Sequence, residues 1–286
     1  MKISESKRVG NDGVTFYIRN WEPDANAQAK AVVALVHGHG EHVGRYENLA
    51  SVLTNAGYAL AGYDSRGHGK STGPRGHIPS YDTLMDDIGA FISILGEKYS
   101  GRPLFLYGHS MGGNQVINYV LRRHPKIAGV IATGPWLKLA FEPSPIKVAL
   151  GRIMNNIVPS FTQSNGLDTK GLSHDAEVVR LYDNDPLGHD KVSARLFVGI
   201  YESGLWALDH ATELVLPLLL MHGGADPITS ATASRQFANK AGSNVTLRIW
   251  DGMYHEIHNE PEQTEVFKVM IEWLDGSTQS LLVSEG

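Results

Sequence analysis

The run Arg102-Pro103-Leu104-Phe105-Leu106-Tyr107-Gly108-His109-Ser110-Met111-Gly112-Gly113 constrains the fold more than any other stretch of the chain. Residues 104–107 are a short apolar run, which predicts a buried strand. The run passes at once into Gly-x-Ser-x-Gly, and residues 114–123 can continue as helix. A serine on so sharp a strand-to-helix turn is pushed out of both elements, and its hydroxyl stands above the sheet. Side chains at positions 108 and 112 would collide where the chain doubles back, which is the physical task of glycine there. An ordinary Gly-rich turn can carry the same letters, so the surroundings decide.

Those surroundings alternate strand and helix. Residues 14–20 predict an early strand, and residues 31–36 are continuously apolar, as a strand buried on both faces must be. Residues 45–55 have helical periodicity, with Tyr46, Leu49, Ala50 and Leu53 on one side. A buried strand follows at 58–63, then a helix at 81–99 with Leu84, Ile88, Phe91 and Leu95 at helical spacing. After the serine turn and its helix comes another strand, 127–133. This rhythm predicts a mostly parallel sheet covered by helices on both faces. It stops at Gly134-Pro135 and resumes with Leu216 to Gly223, a helix near 231–241, a strand at 245–250 and a helix at 262–274. The chain therefore reads as one α/β core, residues 1–135 and 211–286, interrupted by an insertion at 136–210. Within the insertion, Ile146, Ala149, Leu150, Ile153 and Ile157 form an apolar stripe. It suits either a helix packed on the core or a lid whose greasy face meets a pocket mouth or lipid. Residues 277–286 read as a frayed tail.

A serine hydroxyl needs a histidine to take its proton, and the histidine needs a carboxylate to fix its tautomer. Sheet-based hydrolases place these in the order Ser, Asp or Glu, then His, on loops after late strands. Asp226 follows the strand ending at Met221, and His255 follows the strand ending at Trp250. Among 13 histidines His258 is the nearest rival and could line the same site, whereas His222 and Asp209 read as structural. The oxyanion needs two donors. The N–H of Met111, just after the serine, is one; the N–H of His39, in the loop after the early strand, is the other.

The same loop carries a rival chemistry. His37-x-His39-x-Glu41-His42 nearly has the spacing of a zinc-binding His-x-His-x-Asp-His motif. A metal site would leave the Ser110, Asp226 and His255 pattern without a purpose, so no metal is expected. A non-catalytic ligand-binding protein on the same fold is the other alternative. Composition narrows the remainder. A hydrophobic content of 42% and a net charge of −5 suit a globular protein with no call for nucleic acid. Without any cysteine, thiolate nucleophiles and thiolate metal sites are excluded. The first residues have no apolar targeting run, and no stretch is long and apolar enough to span a bilayer, so a cytoplasmic protein is expected.

Taken together, His37-Gly38-His39-Gly40-Glu41-His42 with Arg45-Tyr46, Asp64 with Arg66-Gly67-His68-Gly69 and Ser71, the serine motif, Tyr182 with Asn184-Asp185-Pro186-Leu187, and Tyr254-His255 with His258 resemble the monoacylglycerol lipase and lysophospholipase branch of the α/β-hydrolases. The resemblance runs over residues 14–275. It implies an α/β-hydrolase fold with an eight-stranded, mostly parallel sheet, a helical lid over an acyl tunnel, and cofactor-free cleavage of a monoacylglycerol ester. Lysophospholipase or broad carboxylesterase activity is the alternative on the same machinery. It further implies that Glu41, Arg45 and His258 face the glycerol end; the alternative for Glu41 and Arg45 is a loop-stabilising salt bridge between the two. Tyr182, in the matching motif of the insertion, joins them as a substrate-binding candidate. The expected partner is a small lipid ester, with transient membrane-surface contact through the lid. The departures from the mammalian enzymes are His39, which stands where they carry alanine, and the absence of their cysteines.

Overall fold

The computed structural model describes residues 1–24 and 28–284. In chain order the strands are β1 (Lys2–Val9), β2 (Thr15–Glu22), β3 (Val32–Val36), β4 (Ala59–Tyr63), β5 (Leu104–His109), β6 (Gly129–Thr133), β7 (Thr162–Ser164), β8 (Lys191–Ser193), β9 (Leu218–Gly223) and β10 (Val245–Trp250). The helices are α1 (Glu47–Asn55), α2 (Tyr81–Lys98), α3 (Met111–Arg123), α4 (Pro145–Ile157), α5 (Ala176–Asp183), α6 (Ala194–Asp209), α7 (Ala231–Ala241) and α8 (Gln263–Ser284).

Eight strands form one sheet in the order β1-β2-β4-β3-β5-β6-β9-β10. From β4 to β10 every pairing is parallel, and β1 and β2 are antiparallel additions at one edge. Alternate residues of the central strands feed two cores. Val32, Ala34 and Val36 of β3, with Leu104 and Leu106 of β5, pack among α2, α3, α6 and α7. Val33, Leu35, Phe105 and Tyr107 pack on the other face against α1 and α8. That two-sided burial is why these strands read as unbroken apolar runs rather than alternating ones.

Two elements differ from the expectations. The chain begins with β1, which sequence patterning passes over because nearly all of it is exposed. The predicted tail instead continues α8 as far as Ser284, with Thr278 buried and the Ser280 hydroxyl donating to the carbonyl of Gly276. Residues 285 and 286 lie outside the described residues.

The insertion has two unlike parts. Leu196, Val198, Ile200, Ala207 and Leu208 of α6 are buried, and Asn114 and Asn118 of α3 donate to the carbonyls of Ile200 and Ser203. α4, by contrast, rests on α6 with only Val148 buried, and Gly151 faces Phe197 and Val198. Its apolar stripe is not packed on the core. Ile146, Leu150, Ile153 and Ile157 are 80%, 56%, 53% and 70% exposed.

The chain order of the sheet reverses at β3, which lies between β4 and β5. Loops leaving the carboxyl ends of parallel strands at such a switch point diverge and leave a crevice. The loops after β3, β5, β9 and β10 carry the candidate residues.

Candidate active site

Ser110 joins β5 to α3 at φ 54° and ψ −114°, a left-handed backbone that a non-glycine residue adopts at a cost of about 1–3 kcal/mol. Close packing holds it there. Its N–H donates to the carbonyl of Thr133 (2.9 Å), and its carbonyl accepts from Asn114 and Trp136 (3.0 Å each). A Cβ at Gly112 would lie 2.0 Å from the carbonyl oxygen of Val36, and one at Gly108 would lie 2.4 Å from that of Gly112. Both glycines are therefore required by contact.

His255 approaches from the loop after β10. It meets the serine turn across Gly134, where an added Cβ would lie 3.3 Å from its Nδ1. Nδ1 itself is 2.7 Å from Asp226 Oδ2, so the proton sits on Nδ1 and leaves the Nε2 lone pair free to act as a base. Asp226 is held from the other side. Its Oδ1 accepts the N–H groups of Ile228 (2.8 Å) and Thr229 (3.0 Å). Burial would raise the Asp226 carboxyl, but His255 and His222 overcome it and hold the group well below the usual range. Burial would lower the His255 imidazole, and the charge of Asp226 raises it instead.

His222 stands behind the acid, with Nε2 3.1 Å from Asp226 Oδ2 and Nδ1 2.8 Å from Ser234 Oγ. Asp209 is largely exposed on α6, 3.8 Å from Lys240. Thr229, which sequence reasoning missed, touches Asp226 Oδ2 (2.8 Å), the carbonyl of Gly134 (3.0 Å) and His255 Nδ1 (3.2 Å). Its signal was its place three residues after the acid, where a capping side chain belongs.

The loop after β3 packs directly on the serine, since a Cβ at Gly38 would lie 3.3 Å from that of Ser110. Among the described residues, no acceptor takes the N–H of His39 or of Met111, the first residue of α3. Two donors left open beside Ser110, one in the loop after β3 and one at the start of α3, suit a developing oxyanion. The His39 ring packs edge-on against His68 and His189, at centroid distances of 5.6 and 5.5 Å. Both its nitrogens lack a partner among the described residues, and burial lowers the ring to about 3, so it is neutral.

The zinc-like spacing of this loop does not bring its side chains together. His37 Nε2 accepts from the N–H of Ser65 (2.9 Å), and His42 Nε2 pairs with Asp185 (2.8 Å). Among the described residues no three His, Asp or Glu side chains are placed to hold a metal ion.

Glu41 and Arg45 are buried together. Glu41 accepts from the N–H of Gly38 (2.6 Å), the Tyr46 hydroxyl (2.7 Å) and Arg45 Nη1 (2.9 Å). Arg45 also grips Glu256 with both ends of its fork, at 2.7 and 2.8 Å, while the Tyr182 ring covers its face at 4.7 Å. Burial would raise the Glu256 carboxyl, but Arg45 brings it down to about 2; burial and the Glu256 charge push Glu41 up. His258 stacks on Tyr46 at 5.1 Å, with neither ring nitrogen partnered among the described residues, and burial lowers it to about 4. Glu256 was also missed by sequence reasoning: its place beside His255 was visible, but its pairing with Arg45 was not.

The insertion reaches this site in two places. The N–H of His189 donates to the carbonyl of Gly40 (3.0 Å), and a Cβ at Gly40 would lie 3.0 Å from the Tyr182 hydroxyl oxygen. A cavity of about 270 Å³, lined in part by Tyr182, Asp185 and His189, lies behind that contact. On the opposite side, the carbonyls of Gly171 and Leu172 accept the N–H groups of His255 (3.3 Å) and Glu256 (2.8 Å).

A serine on a strained strand-to-helix turn, backed by a buried Asp–His pair at the carboxyl ends of a parallel sheet, defines an α/β-hydrolase. The family model described as serine aminopeptidase, S33, matches residues 27–262, and the chain belongs to that family. It is a carboxylic ester hydrolase, as the motifs implied. It is 32% identical to a monoacylglycerol lipase of Mycolicibacterium smegmatis, over 95% of this chain and 96% of that one. With a phospholipase of Bacillus subtilis it shares 34% identity over 87% and 95%. It also matches an abhydrolase domain-containing protein of Dictyostelium discoideum at 37% identity, spanning 96% of this chain but 29% of that longer protein. The crystal structure of a monoacylglycerol lipase from Paleococcus ferrophilus superposes with a TM-score of 0.84 at 36% identity, covering 92% of this chain and 99% of that one.

Proposed function

We propose that the chain hydrolyses monoacylglycerols to a free fatty acid and glycerol through an acyl-enzyme on Ser110. The Ser110 hydroxyl attacks the ester carbonyl as His255 Nε2 takes its proton, and Asp226 stabilises the imidazolium. The N–H groups of His39 and Met111 hold the oxyanion, a contribution of about 3–4 kcal/mol for each donor. His255 then protonates the departing glycerol oxygen, and water repeats the sequence on the acyl-enzyme. The observation that carries this reading is the buried Asp226–His255 pair at 2.7 Å, whose imidazole lies 4.8 Å from the ring of His109, the neighbour of Ser110 on the strained turn. The monoacylglycerol lipases among its relatives support the substrate class. The phospholipase relative favours a lysophospholipase as the second reading.

Turnover on monoacylglycerols, lysophosphatidylcholine and short p-nitrophenyl esters separates the two. Monoacylglycerol should be preferred, and a fluorophosphonate should label Ser110 and abolish every activity. Labelling elsewhere, or preference for the lysophospholipid, would refute the assignment.

We also read α4 as the movable part of a lid that meets lipid surfaces. No helix among the described residues is long and apolar enough to cross a membrane. Beyond the exposed Ile146, Leu150, Ile153 and Ile157, the residues Phe141 and Phe161, which flank α4 in the chain, are exposed by 61% and 53%. Burying one isoleucine in an acyl layer gains about 1.5–3 kcal/mol. Ile153→Ser with Ile157→Ser should therefore weaken partition into phosphatidylcholine vesicles by roughly tenfold or more, with melting temperature and short-ester turnover unchanged. An equal loss on short soluble esters would mean that α4 supports the core instead.

A further inference from the structure

Arg45 has one guanidinium and two carboxylates. Nη1 is shared between Glu41 (2.9 Å) and Glu256 (2.7 Å), Nη2 goes to Glu256 (2.8 Å), and Tyr182 covers the face. An arginine recognises a phosphate or carboxylate by offering two parallel N–H groups from one edge of its fork. Here Glu256 takes both groups, and Asn259 Nδ2 donates to the same carboxylate at 2.7 Å and holds it in position. The formal charge of Glu41, Arg45 and Glu256 together is −1.

This cluster stands in the wall of the reaction site. Glu256 is the residue after His255, and Glu41 holds the N–H of Gly38, which packs on Ser110. We propose that Glu256 is a specificity-determining residue: by occupying the fork of Arg45 it makes the alcohol end of the site accept neutral polyols and reject phosphate-bearing head groups. The inference rests on reading that end as the place of the leaving alcohol.

The physical basis is discrimination by an unfavourable contact. A phosphate arriving beside Arg45 finds the Nη1/Nη2 edge of the fork already taken by Glu256 and meets an excess of negative charge. A glycerol hydroxyl is different, because it can donate to a carboxylate and accept from a neutral imidazole. The unpartnered nitrogens of His258, stacked on the tyrosine that donates to Glu41, supply such an imidazole.

The test uses two non-hydrolysable ethers, 1-O-octylglycerol and its 3-phosphate, as inhibitors of p-nitrophenyl butyrate hydrolysis below their micelle concentrations. The wild-type enzyme should bind the neutral ether at least tenfold more tightly. Glu256→Gln should narrow that ratio tenfold or more by reopening one edge of Arg45, and Glu256→Asp, which keeps the charge, should hold it near the wild-type value. If the wild type binds the phosphate as well as the neutral ether, the inference falls, and that arm needs no variant to fold. It falls also if Glu256→Gln lowers the melting temperature but leaves the ratio within twofold, since Glu256 is then structural. The ratio is read on a short ester, so absent monoacylglycerol turnover would overturn the proposed function and leave this result to be judged separately.

Discussion

Replacing Asp226 by asparagine should lower kcat on every ester by about four orders of magnitude while leaving binding largely intact. The reason lies in how the acid is held. Oδ1 accepts two backbone N–H groups, from Ile228 and Thr229, so the oxygen of an asparagine keeps that place. The amide NH₂ then stands where Oδ2 now faces His255 Nδ1 at 2.7 Å. A donor there forces Nδ1 to accept, moves the ring proton to Nε2 and points a donor at Ser110 in place of the needed lone pair. The pH profile carries a second signature. General-base catalysis needs neutral His255, and Asp226 raises that imidazole above the usual histidine value. Wild-type activity should thus fall off on the acid side at a higher pH than an ordinary histidine would give. Loss of the Asp226 charge should move that limb to lower pH. Stopped-flow hydrolysis of a short ester across pH 5–9 checks both. Near-normal turnover with an unmoved limb would remove Asp226 from the catalytic set.

What was legible in the sequence follows from where each signal resides. The strands β3 to β6 are buried on both faces, so their apolar runs declare them. β1 has no such signal because pairing with β2, rather than burial, holds it in place. The stripe of α4 was legible as a pattern, but a pattern states only which residues share a face. It does not say whether that face meets protein or water, and here it meets water. Ser110, Asp226 and His255 could be read because each lies on a loop directly after a predicted strand. Glu256 could not, because its partner Arg45 is 211 residues away and only the sheet brings them together. Among the histidines after β3, the zinc-like spacing carried less weight than the ordered Ser110, Asp226 and His255, and the rings of His37 and His42 serve separate backbone and side-chain partners.

The second large effect concerns stability. Arg45→Gln should destabilise the fold by about 3–5 kcal/mol, because it leaves two buried carboxylates without their shared cation. For a chain of this length that is a fall in melting temperature of roughly 5–10 °C. The loss should depend on pH in a defined direction. In the wild type Glu256 is brought down to about 2 from a usual 4.5, so its contribution is fully present above pH 4.5 and disappears as pH falls through 2. Without Arg45, burial raises both carboxyls, so the folded variant takes up protons at a pH where the wild type does not. The deficit relative to wild type should therefore be largest near pH 8 and shrink towards pH 5. Adding Glu256→Gln to Arg45→Gln should restore much of the lost stability, since it removes the charge left stranded. Thermal unfolding of the two variants at three pH values distinguishes this from lost packing. A deficit that is the same at every pH and unrelieved in the double variant would mean that Arg45 acts through its stacking on Tyr182 rather than through its charge.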